Sequence, residues 1–145
     1  MLELFLLRHG EAEARAAHDS QRRLTQQGEA EIGRAAQKLP TQLSGLIHSP
    51  YVRTQQSAQL VLQHSQAEQV ISADWITPDA AVSDAIDQLQ ALEGTWLLVT
   101  HNPFVSYLAA QLSAISVNQT SFSTGSLALL AGAQALPGTL SFAWK

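Results

Sequence analysis

Two runs of buried-type residues each stop on a histidine, and this repetition constrains the fold more than any other feature. Leu4-Phe5-Leu6-Leu7 leads into Arg8-His9-Gly10, and Thr95-Trp96-Leu97-Leu98-Val99-Thr100 leads into His101-Asn102-Pro103. A short continuous apolar run of this kind reads as a strand covered on both faces, as in a parallel sheet between helical layers. Gly45-Leu46-Ile47-His48 repeats the arrangement on a smaller scale. In open α/β sheets ligands bind at the carboxyl ends of the strands. The charged and basic residues therefore stand where such a fold builds its site.

The segments between these strands read as helices. Thr25 is the expected N-cap of a helix reaching about Leu39, with Ile32, Ala35, Ala36 and Leu39 on one face and Pro40 as the stop. Ser49-Pro50 predicts a second helix start, a cap followed by proline at the first helical position, with the helix running to about His64. Residues 69–73 form a further strand, and Ser83 caps a helix through Ile86, Leu89 and Leu92 that Gly94 ends. The helix after His101 buries Val105, Leu108, Ala109 and Leu112, while residues 11–23 and 74–82 are loops. Ser126–Ala131 and Thr139–Trp144 flank Pro137-Gly138 and predict an antiparallel hairpin. The expected class is α/β, a three-layer α/β/α sandwich with a mostly parallel sheet and a C-terminal antiparallel hairpin. A length of 145 residues predicts a single domain spanning residues 1–145.

Composition removes several functions. The net charge is −4 and no basic cluster exceeds Arg22-Arg23, which argues against nucleic acid as a partner. Cysteine is absent, so neither disulfides nor thiolate chemistry are available, as fits a reducing cytosol. No signal-like segment precedes the first strand and no 18-residue apolar run occurs, so a cytoplasmic protein without a membrane partner is expected. Six of the eight cationic residues are arginines, whose planar fork matches phosphate or carboxylate oxygens.

Parallel strands bring their C-terminal ends to one edge of a sheet. Arg8, His9, Arg53 and His101 are thus expected to converge, although 92 positions (101 − 9) separate the two histidines. Two helix N-termini, after Ser49 and after His101, would aim free N–H groups at the same edge. Guanidinium groups, imidazoles and helix N-termini describe a pocket for a dianionic tetrahedral group. A neutral imidazole at its base is a good nucleophile near pH 7, and its attack on phosphorus would leave a phosphohistidine that water can hydrolyse. Arg8, Arg53 and a protonated His101 would then stabilise the equatorial oxygens of the transition state. Gly10 permits close approach. No metal and no cofactor are expected, because His9-Gly10-Glu11 lacks metal-ligand spacing and no second cluster completes a site.

The chain resembles the histidine phosphatase (phosphoglycerate-mutase-like) superfamily. "LLRHGEAE" is similar to its R-H-G signature, "RRLTQQG" at 22–28 to its L-T-x-x-G segment, "SPYVRTQQSA" at 49–58 to its S-P-x-x-R segment, and "LLVTHNPFV" at 97–105 to its second-histidine strand. The four blocks follow the family's order. "HDSQRRLT", "ITPD", "FSTGSLALL" and the small size resemble the short bacterial phosphohistidine phosphatases of the SixA type within it. The resemblance implies His9 as the phosphate-accepting nucleophile, with Arg8, Arg53 and His101 binding the phosphoryl group. It adds Arg22 as a further phosphate contact, for which Arg23 is the alternative, and Asn102 completes the expected phosphate-binding set.

One departure separates substrates. Many superfamily members carry a general-acid Glu between the arginine helix and the second-histidine strand. Here that segment reads "DWITPDAAVSD", with Asp79 and no Glu. An alkoxide must be protonated as it departs, whereas the imidazole of a phosphohistidine leaves near neutrality. A phosphohistidine-bearing protein of phosphotransfer or sugar-transport type is the expected partner. A small phosphomonoester is the competing substrate, and a non-catalytic phosphate-binding module the competing role. His48 is expected as a packed structural residue, His18 and His64 as solvated ones, and Trp75, Trp96 and Trp144 as core and sheet packing.

Overall fold

The computed structural model describes residues 1–145. Eight strands and four α-helices follow in order: β1 (Leu2–Arg8), α1 (Gln26–Ala36), β2 (Gln42–Leu43), β3 (Gly45–His48), α2 (Val52–Val61), β4 (Gln66–Ala67), β5 (Val70–Ser72), α3 (Val82–Leu89), β6 (Gly94–Thr100), α4 (Phe104–Ser113), β7 (Leu127–Gly132) and β8 (Ser141–Trp144). The main sheet has the order β5-β3-β6-β1-β7-β8. Strands β5, β3, β6 and β1 pair in parallel, and β7 and β8 add antiparallel to β1 and to each other. This is the expected α/β architecture. The parallel register sets Arg8 opposite Thr100 and His48 opposite Val99, so three strands end at one level.

Two-sided burial explains the unbroken apolar runs. On β1, Leu2, Leu4 and Leu6 join one core with α3 and α4, while Phe5 and Leu7 join a second with α1 and α2. On β6, Trp96 and Leu98 face the first layer and Leu97 and Val99 the second. Side chains on a strand alternate between its faces, so Leu4–Leu7 and Trp96–Val99, the stretches covered on both sides, are apolar throughout. Leu98 is fully buried, and Leu98→Ala is expected to cost roughly 2–5 kcal/mol. A strand end held by two such cores has little freedom, which fixes the backbone of His9 and His101.

Helix boundaries follow local chemistry in some places and depart from it in others. Thr25 caps α1 as expected, its Oγ1 accepting from Gly28 N at 3.0 Å. Ser49-Pro50 does not open α2, which starts at Val52. The Ser49 hydroxyl is committed elsewhere, and the chain turns for two more residues before helical hydrogen bonding begins. Ser83 lies inside α3 rather than capping it, and Ala81 precedes the helix without a side-chain cap. The predicted loops contain single 3-10 turns at Asp19–Gln21 and Asp74–Ile76. Strands β2 and β4 form a separate two-stranded pair that the sequence reading did not contain. The hairpin forms as predicted, with Gly138 at φ +73° in its connection.

Candidate active site

β1 delivers His9 to the sheet edge. Its N–H donates to Thr100 O at 3.0 Å, continuing the ladder one residue past the strand. Gly10 N donates to Ser57 Oγ at 3.2 Å, and a Cβ on Gly10 would fall onto the Gly28 backbone. Only glycine lets β1 and α1 approach so closely.

The His9 ring is buried and its proton position is determined. Nδ1 lies 2.8 Å from Gly10 O. A carbonyl only accepts, so Nδ1 carries the hydrogen and Nε2 keeps its lone pair. Arg53 Nε donates to that Nε2 at 3.2 Å, consistent with this tautomer. Burial lowers the His9 pKa to about 4, with Arg53, Arg8 and Arg22 pushing the same way against the Gly10 hydrogen bond. The ring is neutral at pH 7 and its unprotonated nitrogen faces the guanidinium cluster.

His101 reaches the same place from β6. The two rings lie 5.2 Å apart at 62°, and Tyr51 stands 4.8 Å from His101 on its other side. The Nε2 of His101 is 2.6 Å from Ser49 Oγ. That hydroxyl also accepts from Tyr51 N at 3.2 Å and lies 2.8 Å from Thr54 Oγ1. Nδ1 of His101 is buried without a partner. The expectation of a protonated His101 is corrected by the surroundings of its ring. Burial first, then His9, Arg53 and Arg8, lower its pKa to about 2.

Three arginines surround the rings. Arg8 donates from Nη1 to Phe122 O at 3.0 Å, and its Nε is buried with no partner. Burial and Arg53 lower its pKa, opposed by Glu31. Arg53, only 4% exposed, donates to His9, to Asp19 O at 2.8 Å and to Asp19 Oδ2 at 3.2 Å, with Tyr51 beneath its guanidinium. Arg22 donates to Asp19 Oδ1 at 2.9 Å and to Glu13 O. Between the two candidates at 22–23, Arg22 meets the cluster and Arg23 is exposed. Asn102 donates from Nδ2 at 2.8 Å to Phe122 O, the carbonyl that Arg8 also holds. Its amide oxygen accepts from Ser106 Oγ at 3.2 Å.

Other singled-out residues lie outside this cluster. Asp79 is exposed and its carboxylate accepts from Thr77 Oγ1 at 3.2 Å. His48 is half-buried, with Nδ1 2.8 Å from Ser49 O, in keeping with a packed role, and His18 is exposed. His64 is not simply solvated: it is half-buried, 3.1 Å from Leu39 O, because α2 ends against the turn after α1. Trp96 is buried as expected, whereas Trp144 is 45% exposed while meeting Phe122 and Phe142 edge-on. No three His, Cys, Asp or Glu side chains come together in a way that could hold a metal ion. No helix is long and apolar enough to cross a membrane. Sequence reasoning missed Asp19, Ser49 and Thr54 as members of the site. The nearest signal for Asp19 was its place three residues before Arg22 in a polar loop.

Residues 4–76 match the model of the histidine phosphatase superfamily (branch 1). The chain belongs to that superfamily. A phosphohistidine phosphatase SixA homolog of Haemophilus influenzae is 35% identical over 77% of this chain and 77% of its own. The Escherichia coli phosphohistidine phosphatase SixA is 34% identical over 77% of this chain and 74% of its own. The solved structure of the protein histidine phosphatase SixA complexed with tungstate superposes with a TM-score of 0.87 at 28% identity, over 98% of this chain and 94% of that one. The matched segment of the histidine phosphatase model holds His9, Arg22 and Arg53, and the fold supplies His101 from outside it.

Proposed function

We propose that this histidine phosphatase removes the phosphoryl group from a phosphohistidine displayed on another protein. The observation that carries the reading is the His9 ring, neutral, with Nδ1–H on a carbonyl and Nε2 meeting Arg53, while Arg8 and Arg22 add their charge to its surroundings. Nε2 attacks phosphorus, and the bond from phosphorus to the substrate imidazole breaks. A substrate ring already protonated on its second nitrogen leaves as neutral imidazole. His9 becomes the phosphoimidazolium, still donating Nδ1–H to Gly10. Water then attacks phosphorus, its protons leave with inorganic phosphate, and His9 returns to its starting tautomer. The phosphoryl group passes between two like nitrogens, so the first step needs no strong acid.

Arg8, Arg22 and Arg53 supply the charge that the three equatorial oxygens require, and Arg8 Nε is a buried donor ready for one of them. His101 contributes an Nδ1–H donor when Ser49 Oγ donates to its Nε2. Thr54 Oγ1 then donates to Tyr51 O, 2.8 Å away, or to Ser49 O at 3.0 Å. Asn102 serves the set by fixing the Phe122 carbonyl that orients Arg8. The chemistry proceeds without metal or cofactor in this reading, within a single cytoplasmic domain, on a phosphotransfer or sugar-transport protein. Few residues lie beyond the sheet and helices to close a lid over a small molecule, which favours a protein-borne substrate.

Trapping tests the reading. Enzyme incubated with a phosphohistidine protein and quenched with denaturant at alkaline pH should carry an acid-labile phosphoryl group on His9. His9→Ala should carry none, and full turnover by that variant would end the proposal.

A further inference from the structure

The chain contains two side-chain ion pairs, and both end on Asp19. Its Oδ1 accepts from Arg22 and its Oδ2 from Arg53. A pocket assembled for an anion thus already holds an anion of its own. The Asp19 pKa is lowered, chiefly by the Arg22 hydrogen bond and further by Arg53 against some desolvation, so the carboxylate is charged at neutral pH. Its side chain is 58% exposed, so it stands on the solvent side of the cluster, while Arg53 lies buried beneath it. Neighbouring acids are differently used: Glu31 accepts from Glu11 N at 2.8 Å and from Gln27, and Glu11 accepts from Thr25 Oγ1 at 3.0 Å.

We propose that Asp19 is an internal counter-anion that positions Arg22 and Arg53 and weakens the grip on inorganic phosphate. This inference rests on the phosphatase reading and deepens it. In the resting site Arg53 Nε is directed at His9, while Arg53 Nη2 and Arg22 Nη1 are directed at Asp19. A phosphoryl group that recruits these guanidinium donors must compete with a carboxylate, an anion whose two oxygens also match the guanidinium fork. The competition is repaid on departure, because Asp19 recovers both arginines as phosphate leaves. Held between its two partners, the carboxylate also separates two cations that would otherwise repel across a half-buried pocket. Asp19 acts through the arginines and so is a positioning residue.

The proposal sets the sign of an effect, which separates it from simple loop packing. Asp19→Asn keeps an acceptor oxygen and removes the charge, and Asp19→Ala removes both. Titration of each variant with inorganic phosphate, followed by 31P NMR, should give about tenfold tighter binding for Asp19→Asn. With a phosphohistidine protein as substrate, KM should fall together with kcat, as phosphate release becomes limiting. If Asp19 only packs the loop, freed arginines would bind phosphate more weakly, and KM would rise in both variants. Equal or weaker phosphate binding by Asp19→Asn overturns the proposal. The titration needs no turnover, so a wild-type protein inert toward phosphohistidine would sink the functional reading while the phosphate result still decides the role of Asp19.

Discussion

His9 and His101 end neighbouring parallel strands, stand 5.2 Å apart and are both neutral at pH 7, yet they leave opposite nitrogens unanchored by the backbone or Ser49. The reason is the anchor. His9 is held at Nδ1 by the Gly10 carbonyl, which can only accept and so fixes the ring's hydrogen on that nitrogen. His101 is held at Nε2 by the Ser49 hydroxyl, which can donate or accept and so allows either tautomer. One imidazole is locked in the tautomer that keeps its lone pair on Nε2, where it meets Arg53, as a nucleophile requires. The other can present a hydrogen or take one. Identical residues at equivalent strand ends thus acquire different chemistry from one neighbouring oxygen.

The largest expected effect breaks the pair apart. His9→Ala removes the attacking atom and should lower turnover by roughly 10⁴-fold or more, as loss of a nucleophile does elsewhere. His101→Ala, Arg8→Ala and Arg53→Ala each remove one charge-stabilising donor and should cost roughly 10²–10³-fold. Steady-state turnover of a phosphohistidine protein measures both. Equal losses at His9 and His101 would erase the division of roles.

Acid should expose the same two rings. Turnover requires neutral His9, so it should fall as pH drops through about 4 and be flat above that with respect to this group. Stability follows the same sign. Both folded-state pKa values lie below the ordinary histidine value near 6.5, so the unfolded chain binds more protons in between. Each histidine therefore costs stability as pH falls from about 6.5, until about 4 for His9 and about 2 for His101. The slope is at most about 1.4 kcal/mol per pH unit per ring. Urea unfolding at pH 7 and pH 5 should show a smaller loss for His9→Asn than for the wild type. Identical losses would mean that His9 protonates as readily folded as unfolded.

Much of this geometry was legible in the sequence, and the part that was not has a physical cause. Strands β1 and β6 announced themselves because two-sided burial leaves no polar residue within Leu4–Leu7 or Trp96–Val99, and parallel pairing then placed their ends together. Thr25 was legible because its hydroxyl meets the backbone of its own helix. Ser49 carried the same cap signal and was misread, since its hydroxyl bonds a side chain 52 residues away. Asp19 was invisible for a related reason. Glu11, Glu13 and Asp19 share one polar loop with no periodicity, and only the fold decides which carboxylate meets Arg53. Strands β2 and β4, two residues each, are too short to show any period.

The hydroxyl anchor makes a smaller prediction. Ser49→Ala leaves His101 Nε2 with no partner and frees its tautomer, so turnover should drop by roughly tenfold, less than for His101→Ala. Ser49→Thr keeps a hydroxyl and should recover most of that loss. A Ser49→Ala enzyme as slow as His101→Ala would mean the hydroxyl does more than hold the ring.

The smallest expected effect is at Asp79, and it decides between protein and small-molecule substrates. Its carboxylate is exposed, bonded to Thr77, and in contact with none of the catalytic side chains. Asp79→Asn should therefore change phosphohistidine turnover by less than threefold. The substrate dependence should follow from the same fact. An alkoxide needs a positioned proton donor, which commonly contributes roughly 10²–10⁴-fold, and the one carboxylate paired with the site arginines, Asp19, is held in its ionised form by Arg22 and Arg53. Phosphohistidine and activated aryl phosphates should then be cleaved far faster than glycerol phosphate. A thousandfold loss in Asp79→Asn, or glycerol phosphate turning over as fast as phosphohistidine, would place a general acid at the pocket. The two-histidine division would then serve a small-molecule phosphatase, because the leaving group would no longer have to supply its own proton.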